Sequence, residues 1–336
     1  MKHEKPLIIC LTPIKNEAWI LDRFLKCASL WADKIIISDQ GSEDNSVEIA
    51  RSYPKVTLIE NPVDDYDEYK IRIGLFDEAR KIKGHKLLIA MDADETFTPD
   101  YAKTDDWQRL LSAKPGTIIK SRFVNIRPDM KNYWFGPFNL PWGFTDDGSP
   151  YTAGKIHTSR MIEPSGAEIL LIKDFYIIHY QYADWDRMSS KHRWYQCWER
   201  LNRPENSRII LYRSYHHMYS IKKNDIHLVP GEWFEGYYKS GINSIEIKKD
   251  KIYYWDKIVL DYLFRYGTQI FKLIDIWDIN WVKLAEKYGF SNPESFKDPR
   301  NIFNKIVLFW LRKTQYNHNN FFVKAGDKIL KIIFKI

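Results

Sequence analysis

The sequence predicts an α/β fold: a mostly parallel sheet flanked by helices, with a helical C-terminal extension. Two patterns predict the sheet. Short apolar runs bounded by turn residues recur early in the chain, and the stretches between them carry apolar residues at helical spacing. A third pattern predicts the extension: from Trp185 on, helical spacing dominates, dense in Tyr, Trp, Arg and Lys.

Leu7–Leu11 is apolar and stops at Thr12-Pro13, the texture of a strand buried on both faces. Ile20, Leu21, Phe24, Leu25 and Ala28 then mark a helix over Glu17–Trp31. Lys34–Ser38 is a second strand, and Gly41-Ser42-Glu43-Asp44 is a turn that caps a helix over Asn45–Tyr53. Val56–Glu60 is a third strand. Tyr69–Lys81 sets Ile71, Leu75, Phe76 and Ala79 on one side of a third helix. Lys86–Met91 is a fourth strand, running straight into Asp92-Ala93-Asp94-Glu95. Short links between alternating strands and helices imply parallel pairing with helices on both faces. Later the texture changes. Ile118–Asn125 and Ile169–Tyr180 are β-like, and Phe135–Gly154 between them is a loop rich in Gly, Pro, Trp and Asp. The expected division is therefore 1–185, with halves 1–100 and 101–185, and a helical region 186–336.

The 336 residues, 44% of them hydrophobic, suffice for a large core. Trp and Tyr, 13 and 21 of them, are numerous; most should be core, and such rings also suit sugar faces or membrane interfaces. A net charge of +7 suits an acidic partner: a nucleotide diphosphate, an anionic lipid surface or nucleic acid. Cys10, Cys27 and Cys197 form no CxxC or zinc spacing, so reduced thiols and a cytoplasmic location are expected. Met1-Lys2-His3-Glu4-Lys5 leads directly into a strand, so no signal peptide is expected, and no apolar run is long enough to span a bilayer.

In parallel sheets, ligands bind beyond the carboxyl ends of the strands. The loops after strands one, two and four are the places to look. Asp92 and Asp94 can both reach one divalent cation, Mn²⁺ or Mg²⁺, of the kind shared with substrate phosphates. A solvated acidic turn is the plain alternative. Asp39 closes strand two, where it can accept from a base or ribose, and Gly41 allows close approach; a helix cap is the alternative. Pro13 fixes the loop after strand one, and Lys15 brings charge to a helix N-terminus, where phosphates bind. The same residues could simply start a helix, with Asn16 as its cap.

Three segments occur in order: Thr12-Pro13-Ile14-Lys15-Asn16-Glu17, Ser38-Asp39-Gln40-Gly41-Ser42-Glu43-Asp44-Asn45-Ser46, and Met91-Asp92-Ala93-Asp94-Glu95. Together they resemble the family 2 inverting glycosyltransferases of the A-type fold, over roughly residues 5–185. The resemblance implies a nucleotide-binding sheet, a nucleotide-sugar donor, a divalent metal (Mn²⁺ or Mg²⁺) and a glycan or lipid-linked acceptor in surface polysaccharide assembly. It implies that Pro13, Lys15 and Glu17 line the nucleotide pocket and that Asp39 contacts the base. Arg72 would face the nucleotide, or serve as an ordinary surface arginine. Asp92 would sit near ribose and metal, and Asp94 would be the main metal ligand. A histidine at the place of His179 is a third metal ligand or meets the diphosphate. His157 stands where relatives have a His-Glu pair, with Thr158 in place of the Glu. Either histidine could instead be structural.

Inverting transfer needs a general base to deprotonate the acceptor. Asp147, in Thr145-Asp146-Asp147-Gly148, is the expected base, with Asp146, Glu163 and Glu168 behind it; Asp-Asp-Gly is also an ordinary turn. Trp134, Trp142 and Phe144 could stack on acceptor sugar. At the end of the chain, Lys328, Lys331 and Lys335 alternate with Ile329, Leu330, Ile332, Ile333, Phe334 and Ile336. On a helix these give a lysine face and an apolar face, suited to an anionic membrane surface at the inner face of the cell membrane, or to packing on the protein. Two other function classes share some of these features. A nucleotidyltransferase would carry a Gly-rich basic loop after strand one, which Thr12–Glu17 is not. A non-catalytic nucleotide- or nucleic-acid-binding module fits the charge, but no recognised motif appears, so no nucleic-acid partner is expected.

Overall fold

The computed structural model describes residues 5–62, 67–152, 154, 159–249 and 253–334. The chain forms two compact units: Met1–Asp184 with His227–Lys249, and Trp185–Ile226 with Asp250–Ile336. The sequence reading assigned 227–249 to the helical region, whereas this segment returns to the first unit.

The first unit opens with β1 (Leu7–Ile14), α1 (Leu21–Ala28), β2 (Lys34–Asp39), α2 (Ser46–Arg51), β3 (Val56–Glu60), α3 (Glu68–Lys81) and β4 (Lys86–Ala90). Then come β5 (Glu95–Phe97), α4 (Asp105–Leu111), β6 (Ile118–Ile126), β7 (Asn132–Thr145), β8 (Ile169–Leu171) and β9 (Ile177–His179). The sheet order is β3-β2-β1-β4-β7-β6-β9-β5, with β8 beside β6. Strands β3, β2, β1 and β4 are parallel, and β7 joins β4 antiparallel.

Each central strand is apolar along its whole length because both faces are covered. Ile8, Cys10, Ile35, Ile37, Leu87 and Ile89 pack with Leu21, Phe24 and Leu25 of α1. Their neighbours Ile9, Leu11, Ile36, Leu88 and Ala90 pack with Leu75, Phe76 and Ala79 of α3 on the other face. Cys10 and Cys27 are small core residues, and burial pushes both thiols up to about 12.

Two elements differ from expectation. α1 begins four residues late because residues 18–20 form a separate turn, closed by Ile20 N donating to Glu17 O (3.0 Å), and Ile20 has a non-helical φ of −138°; the turn's own N–H groups are capped from the loop after β2. Glu17 N donates to Ser46 Oγ (2.8 Å) and Ala18 N to Asp44 Oδ2 (3.0 Å). The expected loop 135–154 is largely strand: β7 runs fourteen residues through Gly136, Pro141 and Gly143. Pro141 falls where the β6–β7 register shifts, so its missing N–H disturbs little. Gly143 lies against β6 so closely that a Cβ there would stand 3.1 Å from Ile119 Cβ.

The second unit begins with α5 (Trp185–Asn202) and α6 (Arg208–Tyr215). β10 (Ile226–Leu228) pairs with β7, and α7 (Glu232–Tyr238) returns to the first unit, where Tyr237 donates to the Phe97 carbonyl. Gly236 permits this approach, since a Cβ there would meet Pro99 Cγ at 2.5 Å. The second unit continues with α8 (Tyr254–Tyr266), α9 (Trp281–Lys287), α10 (Ile302–Thr314) and α11 (Phe321–Phe334). Arg193 of α5 pairs with Asp256 of α8 (3.0 Å), and Arg213 of α6 with Asp327 of α11 (2.9 Å). No helix among the described residues is long and apolar enough to cross a membrane.

Candidate active site

β1, β2 and β4 end at one edge of the sheet, with Ile14 beside Asp39 and Leu11 beside Ala90. The buried Asp39 carboxylate organises the loop after β2. It accepts from Gly41 N (3.0 Å), Ser42 N (3.1 Å) and the Ser42 hydroxyl (2.5 Å), and Gly41 takes the left-handed φ of 79° that this turn requires. The same loop is joined to the one after β1. Asn16 N donates to Ser42 Oγ (2.9 Å), and Asn16 Oδ1 accepts from Glu43 N (2.7 Å). Pro13 pairs with Ser38 in the ladder, Lys15 is half-buried, and the Glu17 carboxylate accepts from Trp19 Nε1 (2.6 Å).

Beyond β4 the chain turns sharply into β5: Glu95 N donates to Asp92 O (3.0 Å), and Asp92 N to Glu95 Oε2 (3.0 Å). Glu95 pairs with His179 of β9, so the carboxylates and the imidazole meet. Among the described residues, Asp94, Glu95 and His179 offer ligand atoms that all lie within 4.8 Å of one another. His179 Nδ1 stands 3.1 Å from Asn125 Oδ1, an acceptor, so Nδ1 carries the proton and Nε2 faces Asp94 Oδ2 at 3.6 Å. Burial disfavours the charged imidazole, yet Asp94 and Glu95 outweigh it and raise the His179 pKa. Burial also raises the Glu95 pKa, with Asp92 and Asp94 adding to the rise and Arg160 opposing it. Glu95 Oε1 is buried and has no hydrogen-bond partner among the described residues.

Two arginines reach the same cluster. Arg160 donates from Nη1 to Glu95 Oε2 (2.5 Å), holds Nη2 3.4 Å from Asp92 Oδ2, and lies 5.1 Å over the Phe123 ring. Arg72 donates from Nη2 to Asp92 Oδ1 (3.2 Å), while its buried Nη1 has no partner among the described residues. The cluster differs from the expected set of Asp92, Asp94 and His179 in one member. Asp92 is clamped between two guanidiniums, and Glu95 stands in the cluster with Asp94 and His179 in its place.

Asp147 is not brought to this edge. β7 runs antiparallel to β4, so Thr145 at its end lies beside Leu87 near the start of β4. Asp146 N donates to Lys86 O (2.9 Å), and its carboxylate takes Arg80 Nη2 (2.8 Å). Asp147 is exposed and accepts from Ser149 N (2.9 Å); burial acts against its charge, but the bonds from Ser149 prevail and hold its pKa low. It is a turn residue at the opposite end of the strands and cannot serve as base for chemistry at Asp94. Glu163 and Glu168 are exposed, Glu163 paired with Lys120 at 2.5 Å. Trp134, Trp142 and Phe144 are core side chains, 2%, 0% and 0% exposed, so none offers a ring to an acceptor. His157 and Thr158 lie outside the described residues. Sequence reading missed the roles of Glu95, Asn125 and Arg160. Glu95 carried a signal in its place directly after Asp94, whereas Arg160 carried none.

The fold and the edge can be set beside known proteins. Residues 9–104 match the family model described as Glycosyl transferase family 2. The matched segment is under a third of the chain. It runs from Ile9 within β1 through β5 and includes every residue of the joined loops and of the Asp92–Glu95 turn. Among solved structures, the chain is similar to glucosyl-3-phosphoglycerate synthase from Mycobacterium tuberculosis, with 18% identity, 36% of this chain and 44% of that chain covered, and a TM-score of 0.27. It is also similar to a 4-diphosphocytidyl-2C-methyl-D-erythritol synthase (13% identity, 43% and 74% covered, TM-score 0.29). A third is the inositol-1-phosphate CTP transferase from T. maritima (9% identity, 52% and 89% covered, TM-score 0.30). The chain spans less than half the length of the first of these.

Proposed function

We propose that the chain is a metal-assisted, inverting glycosyltransferase. It would move a sugar from a nucleotide-sugar donor to a glycan or lipid-linked glycan in surface polysaccharide assembly. The observation that carries this reading is the acidic cluster at the edge where the family 2 segment ends β4, beside the loops of Asp39 and Pro13. The donor set suits a divalent cation: two carboxylates and an imidazole converge, and the orphaned Glu95 Oε1 lacks the partner that a cation would supply. Asp94, Glu95 and His179 would hold it, and when bound it would neutralise charge on a departing diphosphate. Asn125 keeps His179 in the tautomer that presents Nε2. The free Nη1 of Arg72 is a buried donor suited to a phosphate oxygen, while its Nη2 anchors on Asp92. Asp39 and Asn16 keep the two loops in the shape that a base and ribose would meet.

A thermal-shift screen of nucleoside diphosphates with and without Mn²⁺ tests this. One diphosphate at about 100 times its Kd should stabilise the protein by about 2.7 kcal/mol, only with metal, and not in Asp94→Ala. Equal responses in wild type and variant, or none to any diphosphate, would remove the reading.

A peripheral place on an anionic membrane surface is part of the proposal. Ile302, Ile306 and Phe309 share a stripe of α10 and are 79%, 58% and 61% exposed. Lys305 and Lys313 lie along it, and on α11 Ile329 and Ile332 are exposed as well, with Lys328 beside them. Apolar side chains ringed by lysines suit an anionic bilayer. Vesicles containing phosphatidylserine should co-sediment with the protein and neutral phosphatidylcholine vesicles should not. Ile306→Asp with Phe309→Asp should abolish the difference.

A further inference from the structure

The second unit contains a cavity of about 430 Å³ that none of the chemistry above uses. That volume lies in the range of small-molecule sites, about 300–1,000 Å³. α5, α6, the residues around Asp275 and the end of α10 form its walls.

The charges on those walls are balanced. Arg193 donates from Nη1 to Asp278 Oδ2 (2.7 Å), and Asp275 holds Arg312 Nη2 at 3.4 Å and His216 Nε2 at 3.2 Å. A phosphate entering here would meet Asp275 and Asp278, and a metal cation would meet Arg193 and Arg312. The balance favours a neutral ligand. His192 supports the same conclusion. Burial brings its pKa down to about 3, so the imidazole is uncharged. Its Nδ1 donates to the Tyr215 carbonyl (2.8 Å), which leaves Nε2 with an acceptor lone pair. The rest of the lining mixes Tyr212, Tyr215 and Tyr219 with Met188 and Met218 and with the polar side chains of Ser189, Gln196 and Gln315. Tyr212 lies flat against His216 with ring centroids 3.9 Å apart, and Tyr219, 52% exposed, stacks on Trp185 at 5.4 Å.

Flat apolar surfaces bordered by fixed carboxylate and guanidinium groups suit a ligand with an apolar face and a rim of hydroxyls. We propose that this cavity is a saccharide site that binds one neutral sugar residue. It goes beyond the transferase reading, because every wall residue belongs to the second unit and none to the family 2 segment.

The test is saturation-transfer NMR and calorimetry on the full chain, with the methyl glycosides of glucose, galactose, mannose and N-acetylglucosamine as probes. Inorganic phosphate and adenosine serve as comparison ligands. At least one glycoside should bind the wild type. Tyr219→Ala and Arg312→Ala, both at exposed side chains, should each weaken it at least tenfold with unchanged melting temperature. Tyr219→Phe keeps the ring and should bind as wild type does. The proposal is overturned if no glycoside binds, or if both alanine variants bind as well as wild type. It is also overturned if Asp94→Ala removes the binding, which would put the sugar at the acidic edge. Phosphate or adenosine binding that is lost in Arg312→Ala, with no glycoside response, would make the cavity an anion or nucleoside site instead. Failure of the nucleoside diphosphate screen leaves this test untouched.

Discussion

Arg160 enters the acidic cluster from a segment with no helical or strand pattern, and only the folded chain shows that it faces Asp92 and Glu95. Its guanidinium is the counter-ion of a carboxylate that is fully buried. Removing one partner of such a pair costs about 3–5 kcal/mol, because the other charge is left stranded. Arg160→Met should therefore melt well below wild type without metal. Mn²⁺ should restore more stability to this variant than it adds to wild type, since one repelling charge beside the cation has gone. Calorimetric melts of both proteins with and without Mn²⁺ decide it; an equal metal response would show that Arg160 does not compete for the site. The contrast with Asp92 and Asp94 is instructive. A strand running into two spaced acids is a local pattern and could be read directly. Which of those acids stands in the cluster with His179 depends on β9 and on Arg160, which arrive from far along the chain.

At the level of elements, strands β1 to β4 were readable because unbroken apolar runs have few alternatives once helices lie between them. β7 was not, because its Gly and Pro residues speak for a loop while their real function is close approach to β6 and a register shift. The error carried Asp147 with it: a loop can reach anywhere, but an antiparallel strand delivers its end to the start of β4. In the second unit, α5 buries His192 uncharged beside α6. Its folded pKa of about 3 lies below the ordinary 6.5, so an unfolded chain binds the proton more readily. Stability from this group is complete above about pH 6.5 and declines as pH falls toward 3, by up to about 4 kcal/mol. Denaturant melts at pH 7 and pH 4.5 should show this loss in wild type. His192→Gln keeps a donor for the Tyr215 carbonyl and should show a smaller one; the same slope in both proteins would assign acid sensitivity to other groups.

At the scale of the whole molecule, the first unit is discontinuous. Trp233 and Phe234 of α7 pack into the core built by β1, α1 and β5, and Arg23 of α1 donates to the Asn243 carbonyl (3.0 Å) and lies 5.0 Å over Tyr180. Nothing local in 227–249 announces this return, since its short apolar patches fit a helical region equally well. Trp233→Ala should cost about 3–5 kcal/mol, as large-to-small changes in a core do. The loss should appear in the unit that carries the acidic edge. Hydrogen exchange would report faster opening of β5 and α1 in the variant, and unchanged protection there would contradict the packing.

The four hydrogen bonds that tie residues 16–18 to 42–46 set the shape of this edge of the sheet before any ligand arrives. A guest therefore meets a rim already in its final form, and little chain motion has to be frozen on docking. Recognition there becomes a matter of outline and complementary groups.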